Sequence, residues 1–152
     1  MRFWDTSALL PLLIEEATRG RLVELLRRDP GIALWWGTPV ECSSALARVH
    51  RDGALARSAM RQAHDRLDQL RASAFEVQPL AVVRARAVRL LAVHRLRAAD
   101  SLQLAAALVW CRERPQKVGF VCLDERLRLA AGSEGFQVVP YSEDVHEDDL
   151  VD

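Results

Sequence analysis

Several things are scarce in this chain, and each scarcity excludes a class of protein. Its three cysteines, Cys42, Cys111 and Cys122, are odd in number and fall in no CxxC spacing, which argues against a disulfide framework and a cysteine-bound structural zinc. The four histidines, His50, His64, His94 and His146, form no HxH or HExxH pattern, so a histidine-bound transition metal has little support. The seven glycines build neither a GxGxxG nor a P-loop, and Ser43 and Ser44 beside Cys42 lack a GxSxG setting. Nucleotide cofactors and serine or cysteine hydrolysis are therefore not indicated. Long apolar runs are missing too: residues 8–14 are far too few to span a bilayer. With Asp5 ahead of it and Glu15 and Glu16 behind, that run also makes a poor secretory signal, so a cytoplasmic protein with no membrane partner is expected.

Net charge is absent as well, but only on average: 21 basic residues balance 21 acidic ones. Six of the acids lie in residues 143–152, leaving 15 acids against 21 bases upstream. Nearly all of those bases are arginine, with Lys117 the one lysine. No acid occurs between Glu76 and Asp100, where Arg84, Arg86, Arg89, Arg95 and Arg97 supply guanidinium groups suited to bidentate phosphate contacts. The competing reading is a solvated helix face.

What is present is a regular alternation. Short apolar runs at 3–5, 32–36, 75–77, 119–123 and 136–139 have the character of buried parallel strands. Between them, residues 6–14, 18–28, 39–52, 54–73, 80–94, 98–114 and 125–131 carry apolar side chains at helical spacing, with Pro39 and Gly53 as start and stop signals. This predicts an α/β fold with a mostly parallel sheet covered by helices on both faces. At 152 residues and 50% hydrophobic content the chain suits one domain, expected over residues 1–140, followed by an acidic and mobile tail over 141–152.

Four acids stand where acids are costly. Asp5 in "FWDTSALL" and Asp124 in "VCLDERLRLAA" each follow an apolar strand and precede a helix, where helix N-capping is the plain explanation. Asp100 opens "ADSLQLAAALVW", a helix in which only Gln103 is polar from 102 to 110 and which must be buried nearly all round. Glu41 lies in the first turn of the helix begun by Pro39. In open parallel sheets, ligands bind beyond the carboxyl ends of the strands, where all four would lie if they converge. Two carboxylates about 5 Å apart repel by roughly 3 kcal/mol at an effective dielectric near 20. Such a cluster either takes up protons or holds cations, and oxygen donors without His or Cys select Mg²⁺ or Mn²⁺.

At these residues the chain resembles the PIN-domain family, and within it the VapC-type ribonuclease toxins of toxin–antitoxin pairs. "DTSALL" from Asp5, "PVECSSAL" around Glu41, "LRAADSLQLAAAL" around Asp100 and "CLDERLRLAA" around Asp124 are similar to the family's motifs in order and context. The resemblance implies a five-stranded PIN-like sheet flanked by helices, usually in a homodimer, and Mg²⁺-dependent hydrolysis of RNA that leaves a 5′ phosphate and a 3′ hydroxyl. It implies Asp5 and Asp100 as the core metal ligands, Glu41 and Asp124 completing the acidic pocket directly or through water, and Ser7 in support. Glu125 is the alternative at the fourth position. A cognate antitoxin would be the protein partner, inserting an amphipathic helix and a basic side chain. Two other readings are a PIN-fold module that binds RNA or protein without turnover, and phosphoryl transfer through an aspartyl nucleophile at Asp5. The latter would normally want a second Asp two residues on, where this chain has Ser7.

Overall fold

The computed structural model describes residues 1–141; the acidic tail expected over 141–152 lies, but for Tyr141, outside the described residues. Five strands form one sheet: β1 (Arg2–Trp4), β2 (Ile32–Trp35), β3 (Phe75–Val77), β4 (Gly119–Val121) and β5 (Gln137–Val139). Their order is β3-β2-β1-β4-β5, and every neighbouring pair is parallel, so the sheet is wholly rather than mostly parallel. The helices are α1 (Thr6–Leu13), α2 (Arg19–Arg28), α3 (Thr38–Arg51), α4 (Arg57–Ser73), α5 (Ala81–Val93), α6 (Ala98–Trp110) and α7 (Glu125–Glu134). None of these helices is long and apolar enough to cross a membrane.

The two-residue period of a strand divides its side chains between the two faces of the sheet. Phe3, Ala33, Trp35 and Phe120 face one core, packed with α5, α6 and α7; Trp4, Ile32, Leu34 and Val121 face the other, packed with α1 to α4. Burial on both faces is why these strands read as unbroken apolar runs. Trp35 is buried while its neighbour Trp36 is 49% exposed, because the chain leaves the sheet between them. The turn that follows needs Gly37: a Cβ there would lie 2.5 Å from the Trp35 indole nitrogen.

Some helix ends differ from the expected ones. α6 stops at Trp110 rather than 114, because Arg112 and Glu113 adopt positive φ of 55° and 57° and turn the chain away. α7 runs on to Glu134 and ends where Gly135 takes φ 105°, a left-handed cap that glycine adopts without steric cost. α1 ends in a ring of cations: Arg19 donates to the Pro11 and Leu12 carbonyls at 3.0 and 2.7 Å, and Arg66 to that of Leu13 at 2.7 Å. These guanidinium groups satisfy carbonyls that lack helical partners and match the negative end of the helix dipole.

The strand order reverses at β1, with β2 on one side and β4 on the other. The chain after β2 crosses to α3 on one face, while α6 and α7 lie on the other. A crevice therefore opens beyond the carboxyl ends of β1 and β4, the place where open parallel sheets bind ligands.

Candidate functional site

Each of the four acids reaches this crevice from a separate segment. Asp5 follows β1 and caps α1, Glu41 lies in the first turn of α3, Asp100 in the first turn of α6, and Asp124 follows β4 and caps α7. Together they line one cleft of about 780 Å³, shared with Thr6, Ser7, Ser44, Arg48, Arg97 and Arg126. Glu125 is not among the residues lining it.

The capping explanation and the convergence are both correct. The Asp5 carboxylate accepts the Ser7 amide at 3.0 Å, and Asp124 accepts that of Leu127 at 2.9 Å. Each is a standard side-chain cap at the second or third amide of a helix. Asp5 differs in its burial, being only 4% exposed. Its Oδ2 also accepts the Ser7 hydroxyl at 2.6 Å and faces the Cys122 thiol at 3.5 Å. The Ser7 oxygen in turn accepts the amides of Leu123 and Asp124 at 2.9 and 3.3 Å. One hydroxyl thus joins the junction after β1 to the junction after β4 and holds Asp5 in a fixed orientation.

Glu41 is held from below. Its Oε2 accepts the Thr6 hydroxyl at 3.2 Å, and its Oε1 accepts the amide nitrogen of Gln103 at 3.3 Å. That nitrogen also donates to Thr6 and Thr38 at 3.0 Å each. Gln103 and Thr38 are fully buried, and neither is part of the expected site. The signal was visible: a single amide in an otherwise apolar helical stretch needs hydrogen-bond partners once buried.

Burial is the main influence on the acids of the cleft, with like charge second for Glu41 and Asp100. Burial and then the nearby Asp5 push Glu41 up to about 7, with Asp100 adding to the effect. Burial also raises Asp5, against the hydrogen bonds from Ser7 that favour its ionised form. Asp100 is raised by burial and by Asp124. Cys42, beneath Glu41, is pushed up to about 12 by burial and by the two acids, so it is a neutral packing group rather than a nucleophile.

The arginines distribute differently from the sequence expectation. Of Arg84, Arg86, Arg89, Arg95 and Arg97, only Arg97 lines the cleft. Arg86 is engaged elsewhere, donating to Glu113 at 3.1 Å and Glu134 at 3.2 Å. Arg48 and Arg126, which composition does not single out, take their place beside Arg97. Among the described residues none of these three lies in an ion pair, although Arg97 and Arg126 both favour the charged form of Asp100.

The donor set suits a hard divalent cation, since four carboxylates and no imidazole face the cleft. Among the described residues, no three His, Cys, Asp or Glu side chains are gathered closely enough to form a ready-made ligand set. A hard ion such as Mg²⁺, which keeps several waters and takes one or two carboxylates directly, is the kind that such oxygen donors suit.

No protein-family model and no curated protein matches the chain by sequence. Solved structures do match it. FitAcB from Neisseria gonorrhoeae superposes with a TM-score of 0.62 at 18% identity, covering 91% of this chain and 96% of that one. PAE2754 from Pyrobaculum aerophilum gives 0.59 at 21% identity, covering 91% and 88%. A toxin–antitoxin complex from Klebsiella pneumoniae gives 0.57 at 15% identity, covering 82% and 87%. What is shared at such low identity is the path of the backbone, and with its five parallel strands, flanking helices and acid-lined crevice the chain has the PIN-domain fold.

Proposed function

We propose that this protein is a Mg²⁺-dependent endoribonuclease, the toxin component of a toxin–antitoxin pair acting in the cytoplasm, with Mn²⁺ as a substitute ion. The observation that carries the proposal is the meeting of Asp5, Glu41, Asp100 and Asp124 in one cleft, where burial first and the neighbouring Asp5 second raise Glu41 to about 7. Four carboxylates gathered at that cost, with only three arginines at their rim, are explained by a cation that relieves them.

Asp5 and Asp100 would hold the ion, with Glu41 and Asp124 completing the shell directly or through water. The chemistry such an ion would supply at these carboxylates is a lowered pKa for an attacking water and neutralised charge on the scissile phosphate. Ser7 keeps the Asp5 carboxylate aimed and prevents it from rotating away, through the 2.6 Å hydrogen bond. Arg48, Arg97 and Arg126 flank the acids and would take the phosphates on either side of the cut, which sets the strand across the cleft. Cys42, Cys111 and Cys122 are all unpaired thiols, in keeping with a reducing compartment.

Two surfaces support the partners in this reading. A groove of about 540 Å³ is lined by Leu13, Ile14, Val49 and Leu55 and edged by Glu15 and Glu16, a chemistry that suits an amphipathic helix with basic residues from an antitoxin. Val82, Val88, Leu91 and Val93 of α5 are exposed, apolar area that a second copy would cover in a homodimer.

The test uses purified protein, labelled RNA and Mg²⁺. Asp5→Asn and Asp100→Asn should each lower cleavage by at least about 100-fold. Undiminished cleavage would remove the metal reading. Mg²⁺ binding and RNA retention without cleavage in the unaltered chain would identify an inert binding module instead.

A further inference from the structure

Gln103 has no role in the reading so far, yet it is the residue on which three of the four acidic segments meet. It is fully buried in α6, one helical turn after Asp100, so the two lie on the same side of that helix. Its amide nitrogen reaches Thr6, the residue after Asp5, together with Thr38 and Glu41 at the start of α3. The carboxylate of Glu41 is therefore approached twice by the same group: directly at 3.3 Å, and through the Thr6 hydroxyl, which accepts from Gln103 at 3.0 Å and donates to Glu41 at 3.2 Å.

The other end of the amide identifies what this arrangement serves. Gln103 Oε1 is buried and has no hydrogen-bond partner among the described residues. An orphaned buried acceptor is costly, since the group has given up water without gaining a partner. Rotating the amide by half a turn would exchange its two ends, but would bring a carbonyl oxygen against the Glu41 carboxylate, two acceptors with no proton between them. The nitrogen is thus committed to the acceptors on the cleft side, and the oxygen is left alone as a consequence. An apolar residue at this position would match the rest of α6 but would strip the buried Thr38 hydroxyl of its partner among the described residues, so the amide is explained by what it donates to rather than by packing.

We propose that Gln103 is a positioning residue for the acidic centre: it fixes the Glu41 carboxylate, and with it the spacing between the starts of α1, α3 and α6, so that a divalent cation meets a preset donor. This rests on the metal-dependent reading above. Gln103 itself touches neither ion nor RNA.

The experiment is a double-substitution cycle read by Mn²⁺ calorimetry on the full chain, with single-turnover RNA cleavage alongside. Gln103→Met keeps the side-chain volume and removes the amide. It should weaken Mn²⁺ binding by about 10-fold, the usual scale for a group that orients a ligand, and lower kcat without raising KM. In a Glu41→Ala background the same substitution should change Mn²⁺ affinity by less than about 2-fold, because nothing remains to be positioned. Equal loss in both backgrounds, or no loss in either, overturns the inference while leaving the nuclease reading intact. If the unaltered chain binds no Mn²⁺, both fall together. Should Gln103→Met fail to fold, Gln103→Asn carries the same cycle, since it retains the amide but is one methylene too short to reach Glu41.

Discussion

Two groups of charged side chains occupy opposite ends of α6 and α7, and they are built on opposite principles. At the amino ends of these helices, Asp100 and Asp124 join Asp5 and Glu41 in a cleft where like charges face one another. At the carboxyl ends, Glu113 and Glu134 meet Arg86 and His94: Arg86 bridges both glutamates, and His94 lies 2.7 Å from Glu134. Glu134 sits at the negative end of the α7 dipole, an unfavourable place that its two partners offset. In the second group each acid meets a hydrogen-bonding basic partner within the chain. In the first, four acids share the cleft with three arginines, Arg48, Arg97 and Arg126, none of which forms an ion pair among the described residues. Paired ions of the second kind hold α5, α6 and α7 together, whereas acids gathered without ion-pair partners mark a place for a ligand.

That contrast can be broken at either end. The largest effect is expected at the cleft, where Asp100→Asn should abolish most Mg²⁺-dependent RNA cleavage yet raise the melting temperature of the chelated protein, because one member of a repelling set has been neutralised. A lower melting temperature would mean that Asp100 is structural. Glu134→Ala should do the reverse. Removing the acid leaves Arg86 and His94 partly buried without it and should cost about 1–2 kcal/mol in a denaturant titration, with the cleavage rate per folded molecule unchanged.

The contrast also has a pH signature. Glu41 is raised in the folded state from 4.5 to about 7, so it binds a proton more tightly folded than unfolded. The stability it contributes is present below its unfolded value and is lost as pH rises through about 7. Asp5 and Asp100 shift the same way. Without divalent ions the protein should therefore be more stable at pH 5 than at pH 8, and Glu41→Gln should remove roughly 1 kcal/mol of that difference once solvent screening is allowed for. A pH dependence identical in Glu41→Gln would show that the carboxylate is not strained. The smallest effect is expected at the cleft rim: Arg126→Ala should lower the slope of log affinity against log salt for single-stranded RNA by about 0.7, one phosphate contact, measured by anisotropy in an Asp100→Asn background. An unchanged slope would remove Arg126 from the binding surface.

Much of the fold was legible because its signals are local. Strand and helix periods, the stop at Gly53 and the caps at Asp5 and Asp124 depend on residues within a few positions of one another. The expected end of α6 was wrong for a reason of the same kind: the residues at 112 and 113 give no composition signal for a positive φ. The arginines misled because a basic stretch in sequence wraps around a helix in space. Arg84, Arg86 and Arg89 all belong to α5, whose partners are α6 and the Glu113–Glu134 pair rather than the cleft. Gln103 stood out as an isolated amide, but its partners lie 62, 65 and 97 positions away.

By itself, the order of residues determined the alternating architecture and the identity of four acids whose placement at element starts is costly. It could do so because caps, periods and buried carboxylates obey short-range rules. Which arginines stand beside those acids, which one instead locks helices together, and how a buried amide holds Glu41 were decided by the packing of α3, α5 and α6 on a parallel sheet. Helix rotation and strand order bring distant residues within hydrogen-bond reach, and no local pattern encodes that distance.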